Sequence, residues 1–268
     1  MVQKFERIQD NQFVTWNEKI MKIRNSLPVV EEATYQFEGY VNPFEFVHQL
    51  GELLTRDDQV ITCSSGGAYT SMMQAFPQHQ GQLLTNNKGL ASMGYGLAGA
   101  IGSAFAFKER RTILVEGDGG FAQNLSEIGT VVNRKLNLKM FIFSNLGYAS
   151  IRVSQKAYFE GNYVGCDGPT GVGLPNWISM FDSYGIPAIE VNESIKDNLE
   201  LQQLLNTPGP AAFIINIHPD QSFLPKITSR IYSDGKMKSN PIHLMDPQLG
   251  YDLAQECFSL LPENLRTV

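Results

Sequence analysis

The sequence predicts an α/β fold, a parallel sheet with helices on both faces. Two observations carry that expectation. Short apolar runs such as Ile113-Leu114-Val115 and Met140-Phe141-Ile142-Phe143 alternate along the chain with segments of helical spacing. Each run also stops at a cluster of small or polar residues, Gly117-Asp118-Gly119-Gly120 after the first and Ser144-Asn145-Leu146-Gly147 after the second. A strand, helix, strand order places consecutive strands parallel in one sheet, with helices covering it.

The elements follow in order. Residues 1–35 form a polar helical lead-in, with Phe13, Trp16, Ile20, Met21 and Ile23 as its apolar set. Asn42-Pro43 opens a helix: Asn caps it, Pro suits its first position, and Glu45 is placed to close a capping box. Phe44, Val47, Leu50 and Leu54 give that helix one apolar stripe. A strand over Val60–Cys63 breaks at Ser64-Ser65-Gly66-Gly67, and Leu83-Leu84-Thr85 is a candidate second strand. The run from Gly89 to Leu97 is glycine-rich, and a helix of small residues follows, whose Gly99 and Gly102 suit close packing.

Between the runs at 113 and 140, Leu125, Ile128, Val132 and Leu136 recur at spacings of three and four, a helical pattern. Residues 152–176 are loop-like. A helix near 177–184, a strand at Ala188–Val191, a helix from Ile195 to Leu205 and a strand at Ala211–Ile217 complete the alternation. From Pro219 the patterning fades into a polar tail, 219–268, expected to wrap the domain and to end in a short helix.

Composition narrows the function. The 268 residues carry 27 acidic and 21 basic side chains, a net charge of -6, with no basic stripe, which disfavours nucleic-acid binding. No apolar run approaches the ~20 residues that span a bilayer, and MVQKFERIQDNQF lacks the apolar core of a signal peptide. No membrane association is expected, and cytoplasmic residence is the default. Cys63, Cys166 and Cys257 are odd in number and far apart, as buried or free thiols of a reducing compartment are.

Chemistry concentrates at the two strand ends. In a parallel sheet both lie at the carboxyl edge, where open α/β folds bind ligands. Asp118 and Asn145 then stand side by side next to bare glycine backbone. Mg²⁺ takes six oxygen ligands and usually combines one or two carboxylates with phosphate oxygens. Asp118 offers the carboxylate, Asn145 an amide oxygen, and Gly147 a main-chain carbonyl. Gly119 and Gly120 leave room for a diphosphate against main-chain N–H groups at a helix start, where the dipole favours anions. Alone, GDGG is equally a strand-ending turn; the second strand end raises its specificity.

With those residues in view, the chain resembles the thiamine diphosphate-dependent enzymes. GDG, a helix and an Asn-containing strand end look like that family's cofactor motif, and LASMGYGLAGAIGSAFA is similar to a segment of its acetolactate synthase-like branch. The resemblance covers residues 36–218, the diphosphate-binding domain, and implies that family's thiamine diphosphate-binding fold. It implies Asp118, Asn145 and the Gly147 carbonyl as Mg²⁺ ligands, and Gly117, Gly119 and Gly120 at the diphosphate. Ser65, Gly66 and Gly67 would reach the same diphosphate. Met93 would support the cofactor in a V shape, and the Ala91 carbonyl would accept from its 4′-amino group. The cofactor carries the chemistry on a 2-keto acid, by carboligation or decarboxylation.

Departures accompany the match. Ser144-Asn145 stands where Asn-Asn is common, Ala91 where Gly is usual, and Gly66-Gly67 where many acetolactate synthases carry Gln-His. The family's activating Glu belongs to a pyrimidine-binding domain, and no Glu here takes that role, so no catalytic residue is assigned. The chain is expected to need that domain from another chain or segment, and to form an oligomer. Two other readings stand beside this one: a cofactor- or nucleotide-binding module without activity of its own, and a plain dinucleotide-binding domain. GDGGFA lacks the latter's G-x-G-x-x-G spacing. His48, His79, His218, His243 and Glu127 fit packing or surface positions, and Tyr148 and Arg152 are weak candidates to face substrate.

Overall fold

A computed structural model describes residues 13–31, 34, 37–63, 65–231 and 233–266. It divides into two units, Thr34–Phe223 and a second made of the described residues before 34 and from Leu224 onward.

The larger unit is built on six parallel strands: β1 (Gln59–Thr62), β2 (Leu83–Thr85), β3 (Thr112–Gly117), β4 (Leu138–Ser144), β5 (Ala188–Val191) and β6 (Ala211–Asn216). Their spatial order is β2-β1-β3-β4-β6-β5. β3 and β4 are central and pair from Thr112↔Leu138 to Gly117↔Phe143, so Gly117 and Ser144 finish at the same edge. The order reverses between β1 and β3, so the loops after those strands part to opposite faces and leave a crevice.

Helices cover both faces. On one face Leu138, Met140 and Ile142 of β4 pack in a core with Leu97, Ile101, Phe121, Ile128, Trp177 and Phe181. These belong to α4 (Tyr95–Ala106), the segment after β3, and α8 (Trp177–Ser183). On the other face the intervening residues Phe141 and Phe143 meet Phe46 of α2 (Pro43–Leu53) at ring distances of 5.7 and 5.5 Å. Alternate residues of a strand point to opposite faces, and both faces are apolar because both are covered. The expected parallel sheet with helices on both faces is what the chain adopts.

Several local expectations change. Asn42 caps α2 by accepting from the N–H groups of Phe44 (2.9 Å) and Glu45 (3.3 Å), yet Glu45 accepts from Gln49 one turn on instead of closing a capping box. The single helix expected after β3 is three short pieces: α5 (Asp118–Phe121), a 3₁₀ turn at Ala122–Glu127 and α6 (Ile128–Asn133). Asn124 breaks it at φ -127°, ψ 32°, where its side-chain amide donates to the Gly94 carbonyl at 2.7 Å. In α4 the closest approach is at Gly96; a Cβ on Gly99 would lie 3.0 Å from the Tyr95 ring, and one on Gly102 would meet open space.

The second unit holds α1 (Val14–Ser26), an antiparallel pair of β7 (Ser229–Ile231) with β8 (Met237–Ser239), and α10 (Tyr251–Cys257). Lys22 of α1 pairs with Glu256 of α10 at 2.6 Å. The short helix expected in the tail is present, whereas the hairpin has no apolar alternation to announce it. Residues 1–12 of the lead-in lie outside the described residues. No helix among the described residues is long and apolar enough to cross a membrane.

Candidate functional site

A cavity of about 320 Å³ opens at the carboxyl edge, in the crevice between the ends of β1, β3 and β4. Ser65, Gly66 and Gly67 line it from the start of α3 (Gly66–Ala75), Gly117 to Gly120 from the end of β3, and Asn145 and Gly147 from the end of β4. Ala91 and Met93 reach it from the glycine-rich loop before α4. The ten residues singled out by sequence and the carboxylate of Asp118 thus share one cavity, although Ser65 and Asp118 are far apart in the chain. A second cavity, about 290 Å³, is lined by Phe37, Tyr40, Glu45 and Glu193 and contains none of them.

Asp118 is 1% exposed and joins the two strand ends. Its Oδ2 accepts from the N–H groups of Asn145 (3.0 Å) and Gly147 (3.2 Å), and its Oδ1 from Gly119 N–H (2.7 Å). Burial pushes its carboxyl up to about 6, against the lowering pull of those three N–H groups and the Arg152 charge. The Asn145 Oδ1 is buried and has no hydrogen-bond partner. A buried amide oxygen without a partner costs about 1–3 kcal/mol, so this atom calls for an external electrophile. The Gly147 carbonyl accepts from Ala149 N–H at 3.1 Å and retains a second lone pair. One buried carboxylate, one orphaned amide oxygen and one main-chain carbonyl fit a hard cation whose remaining ligands come from phosphate and water. Among the described residues no three His, Cys, Asp or Glu side chains cluster as a metal centre held by protein side chains alone would.

Glycine at 147 is dictated by geometry. Its φ is +127°, and a Cβ there would lie 2.4 Å from the Cys166 carbonyl oxygen. Tyr148 N–H donates to that same oxygen at 2.7 Å, so the loop after β4 is docked on the chain around Cys166. Gly67 is bare for another reason: the Phe223 ring lies where its Cβ would be. Met93 is 40% exposed and lines the cavity, so it is no core filler. Ala91, standing where the resembled segment has Gly, takes φ +54°, a conformation that L residues adopt at a cost.

One residue escaped the sequence reading, and another takes a different place from the one expected. Glu116 is the fifth residue of β3 and 1% exposed, wedged between bare glycines. A Cβ on Gly96 would lie 2.3 Å from its Oε2, and one on Gly120 would lie 2.7 Å from its Oε1. Burial raises this carboxyl to about 7, with the N–H groups of Leu97 and Gly96 opposing. Burial, and then the Glu116 charge, push the neighbouring Cys63 thiol up to about 12, which keeps it protonated and unreactive. The signal for Glu116 was a charged residue inside an otherwise apolar central strand. Arg152, weighed only as a residue facing substrate, is instead buried against main-chain carbonyls. Tyr148 does line the cavity, its ring against the Gly119 main chain. His218 stacks on Phe37, and Glu127 is exposed.

Comparison with known proteins agrees with this geometry. Residues 65–215 match the family described as thiamine pyrophosphate enzyme, C-terminal TPP binding domain. The chain is 28% identical over 200 residues to the acetolactate synthase large subunit of Cyanidium caldarium, covering 75% of this chain and 33% of that protein. It is 26% identical over 171 residues to the acetolactate synthase isozyme 1 large subunit of Escherichia coli (strain K12), covering 64% and 30%. Its fold is similar to the crystal structure of benzoylformate decarboxylase from Polynucleobacter necessarius. That match has a TM-score of 0.61 and 18% identity over 74% of this chain and 36% of that one. The chain spans about a third of the length of the curated relatives it matches. The matched segment holds every lining residue of the cavity except Cys63, and the chain belongs to the thiamine pyrophosphate enzyme family through its C-terminal TPP-binding domain.

Proposed function

We propose that this chain is the thiamine diphosphate- and Mg²⁺-binding part of an enzyme acting on 2-keto acids, in an acetolactate synthase-like carboligation or a decarboxylation. The observation that carries the metal assignment is the orphaned Asn145 Oδ1 beside the buried Asp118 carboxylate, in a glycine-lined crevice at the switch point of the sheet. Asp118, Asn145 and the Gly147 carbonyl would hold the metal. The bare backbone of Gly119 and Gly120 would face the diphosphate, although the Gly119 N–H is already given to Asp118 Oδ1, and Gly117 would leave room beside them. Ser65, Gly66 and Gly67 approach it from α3. The Ala91 carbonyl would accept from the aminopyrimidine, and Met93, which lines the cavity, would support the cofactor. Bound there, the cofactor supplies the electron sink for bond cleavage or formation next to a keto group.

A pyrimidine-binding domain, from another chain or another segment, completes the site. The cavity's carboxylates are Asp118 and Glu116, both from the end of β3. Leu90, Met93, Leu146 and Ile151, in or just after loops that border the cavity, are exposed apolar residues of the kind a partner covers. An oligomer follows from a partner on another chain. A cytoplasmic setting suits three cysteines that are all free.

Titration calorimetry of the chain with thiamine diphosphate, in Mg²⁺ and in EDTA, tests the reading. Affinity is expected to rise with Mg²⁺ in the wild type and to lose that rise, tenfold or more, in Asp118→Ala. Equal affinity of the two proteins in Mg²⁺ would remove the metal site, and binding of NAD with none of thiamine diphosphate would remove the cofactor.

A further inference from the structure

Arg152 sits in the first turn of α7 (Ala149–Tyr158), where the helix dipole disfavours a cation. It is 9% exposed, and no carboxylate among the described residues lies within ion-pair distance of it. A buried charge without an ion pair in contact is expensive, and Asp118 acts on this one only from beyond ion-pair distance. What surrounds the guanidinium is main chain. Its Nη2 donates to the carbonyls of Asn145 (2.6 Å) and Pro219 (3.2 Å), and its Nη1 reaches those of Leu146 (3.3 Å) and Cys166 (3.5 Å). Its Nε–H is buried without a partner. Three separate segments thereby converge on one side chain: the loop after β4, the chain at Cys166 and the turn after β6.

The direction of these bonds matters. A trans peptide points its C=O and N–H oppositely. The Leu146–Gly147 peptide gives its C=O to Arg152 and its N–H to Asp118 Oδ2, at 3.3 and 3.2 Å. The guanidinium therefore turns this peptide plane so that its N–H faces the Asp118 carboxylate. The bond from Arg152 to the Asn145 carbonyl fixes the residue whose Oδ1 is left free. Leu146 is held at φ +64° in the process, a strained conformation for a branched residue that surrounding contacts must maintain.

We propose that Arg152 is a positioning residue that sets the shape of the metal loop, residues 145–147, by holding the carbonyl oxygens of Asn145 and Leu146 while leaving the Gly147 carbonyl unengaged by it. This rests on the cofactor reading above. A lysine keeps the charge but offers a single nitrogen in place of a planar fork, so it separates charge from geometry.

The test uses the full 268-residue chain as wild type, Arg152→Lys and Arg152→Met. Thiamine diphosphate affinity is measured by calorimetry in Mg²⁺ and in EDTA, and amide hydrogen exchange is measured on the cofactor-free proteins. The Met variant is expected to lose at least tenfold of the Mg²⁺-dependent affinity, and the Lys variant an intermediate amount. Affinity in EDTA should stay within twofold. Exchange should quicken in peptides covering 145–148 while β3 and β4 keep their protection, which a general loss of stability would not produce. If Arg152→Met does not fold, Arg152→Lys carries both comparisons. Wild-type metal dependence together with wild-type exchange in Arg152→Lys would overturn the proposal. A wild-type chain with no Mg²⁺-dependent binding would instead sink the cofactor reading, and unchanged exchange in the variants would then overturn the role of Arg152 on its own.

Discussion

The glycines at the end of β3 and in the loop after β4 look alike in the sequence and answer to different forces. Gly147 combines a φ of +127° with a main-chain carbonyl oxygen where its Cβ would be, whereas Gly117 is extended at φ -81°, ψ 152° with open space around it. A carbonyl held by its own hydrogen bonds cannot move aside cheaply. Gly147→Ala is therefore expected to cost at least about 2 kcal/mol of unfolding free energy, and Gly117→Ala to stay within about 0.5 kcal/mol of wild type. Urea melts of both variants decide this; equal midpoints would mean that the loop is not docked on Cys166. Asp118 and Asn145 were legible from sequence because a residue that directly follows an apolar strand must land at the sheet's carboxyl edge. Glu116 and Arg152 were not. The space for Glu116 is made by Gly96 and Gly120, whose meeting is a tertiary fact. The acceptors of Arg152 are main-chain carbonyls, one of them at Pro219, and no side-chain pattern advertises those.

At the scale of elements, strands were easier to find than the helix between them. β3 and β4 are uninterrupted apolar runs, and their burial on both faces is what such runs signify. The helical spacing of Leu125, Ile128, Val132 and Leu136 was real, but Asn124 gives up helical geometry to bind the Gly94 carbonyl and so ties this segment to the loop of Ala91 and Met93. That exchange of a local for a tertiary hydrogen bond leaves no trace in periodicity.

The start of β4 shows a second hidden tie. Lys139 is 1% exposed, and its ammonium donates to the carbonyls of Thr207 (2.5 Å) and Gly209 (2.7 Å). Burial first, and then the charge of Arg111, push it down to about 8 from 10.5. Between those two pH values the unfolded chain binds more protons than the folded one, so stability rises as pH rises from about 8. Urea melts at pH 7, 9 and 10 are expected to show this rise in the wild type relative to Lys139→Met, with tyrosine ionisation common to both. Parallel stabilities across that range would show that the ammonium carries no such burden in the fold.

For the whole molecule, the decisive fact is proportion. The chain spans about a third of relatives that are acetolactate synthase large subunits, and its cavity gathers the residues proposed for metal and diphosphate without a carboxylate from outside the end of β3. Glu116 is no substitute for an activating acid on a facing domain. It emerges from the same strand end as Asp118, and its carboxylate is enclosed by the Gly96 and Gly120 backbones. The apolar residues in and beside the loops that border the cavity are exposed, as a surface that a second domain covers to exclude water would be. Binding and turnover should therefore separate. Supplied with pyruvate, Mg²⁺ and thiamine diphosphate, the isolated chain is expected to bind the cofactor yet release carbon dioxide no faster than a protein-free control. A separately produced pyrimidine-binding domain from an acetolactate synthase large subunit is then added; an increase of tenfold or more that depends on that domain's glutamate is the expected outcome. Robust turnover by the 268-residue chain alone would place the activating group within it, and would overturn the division of labour argued from the cavity.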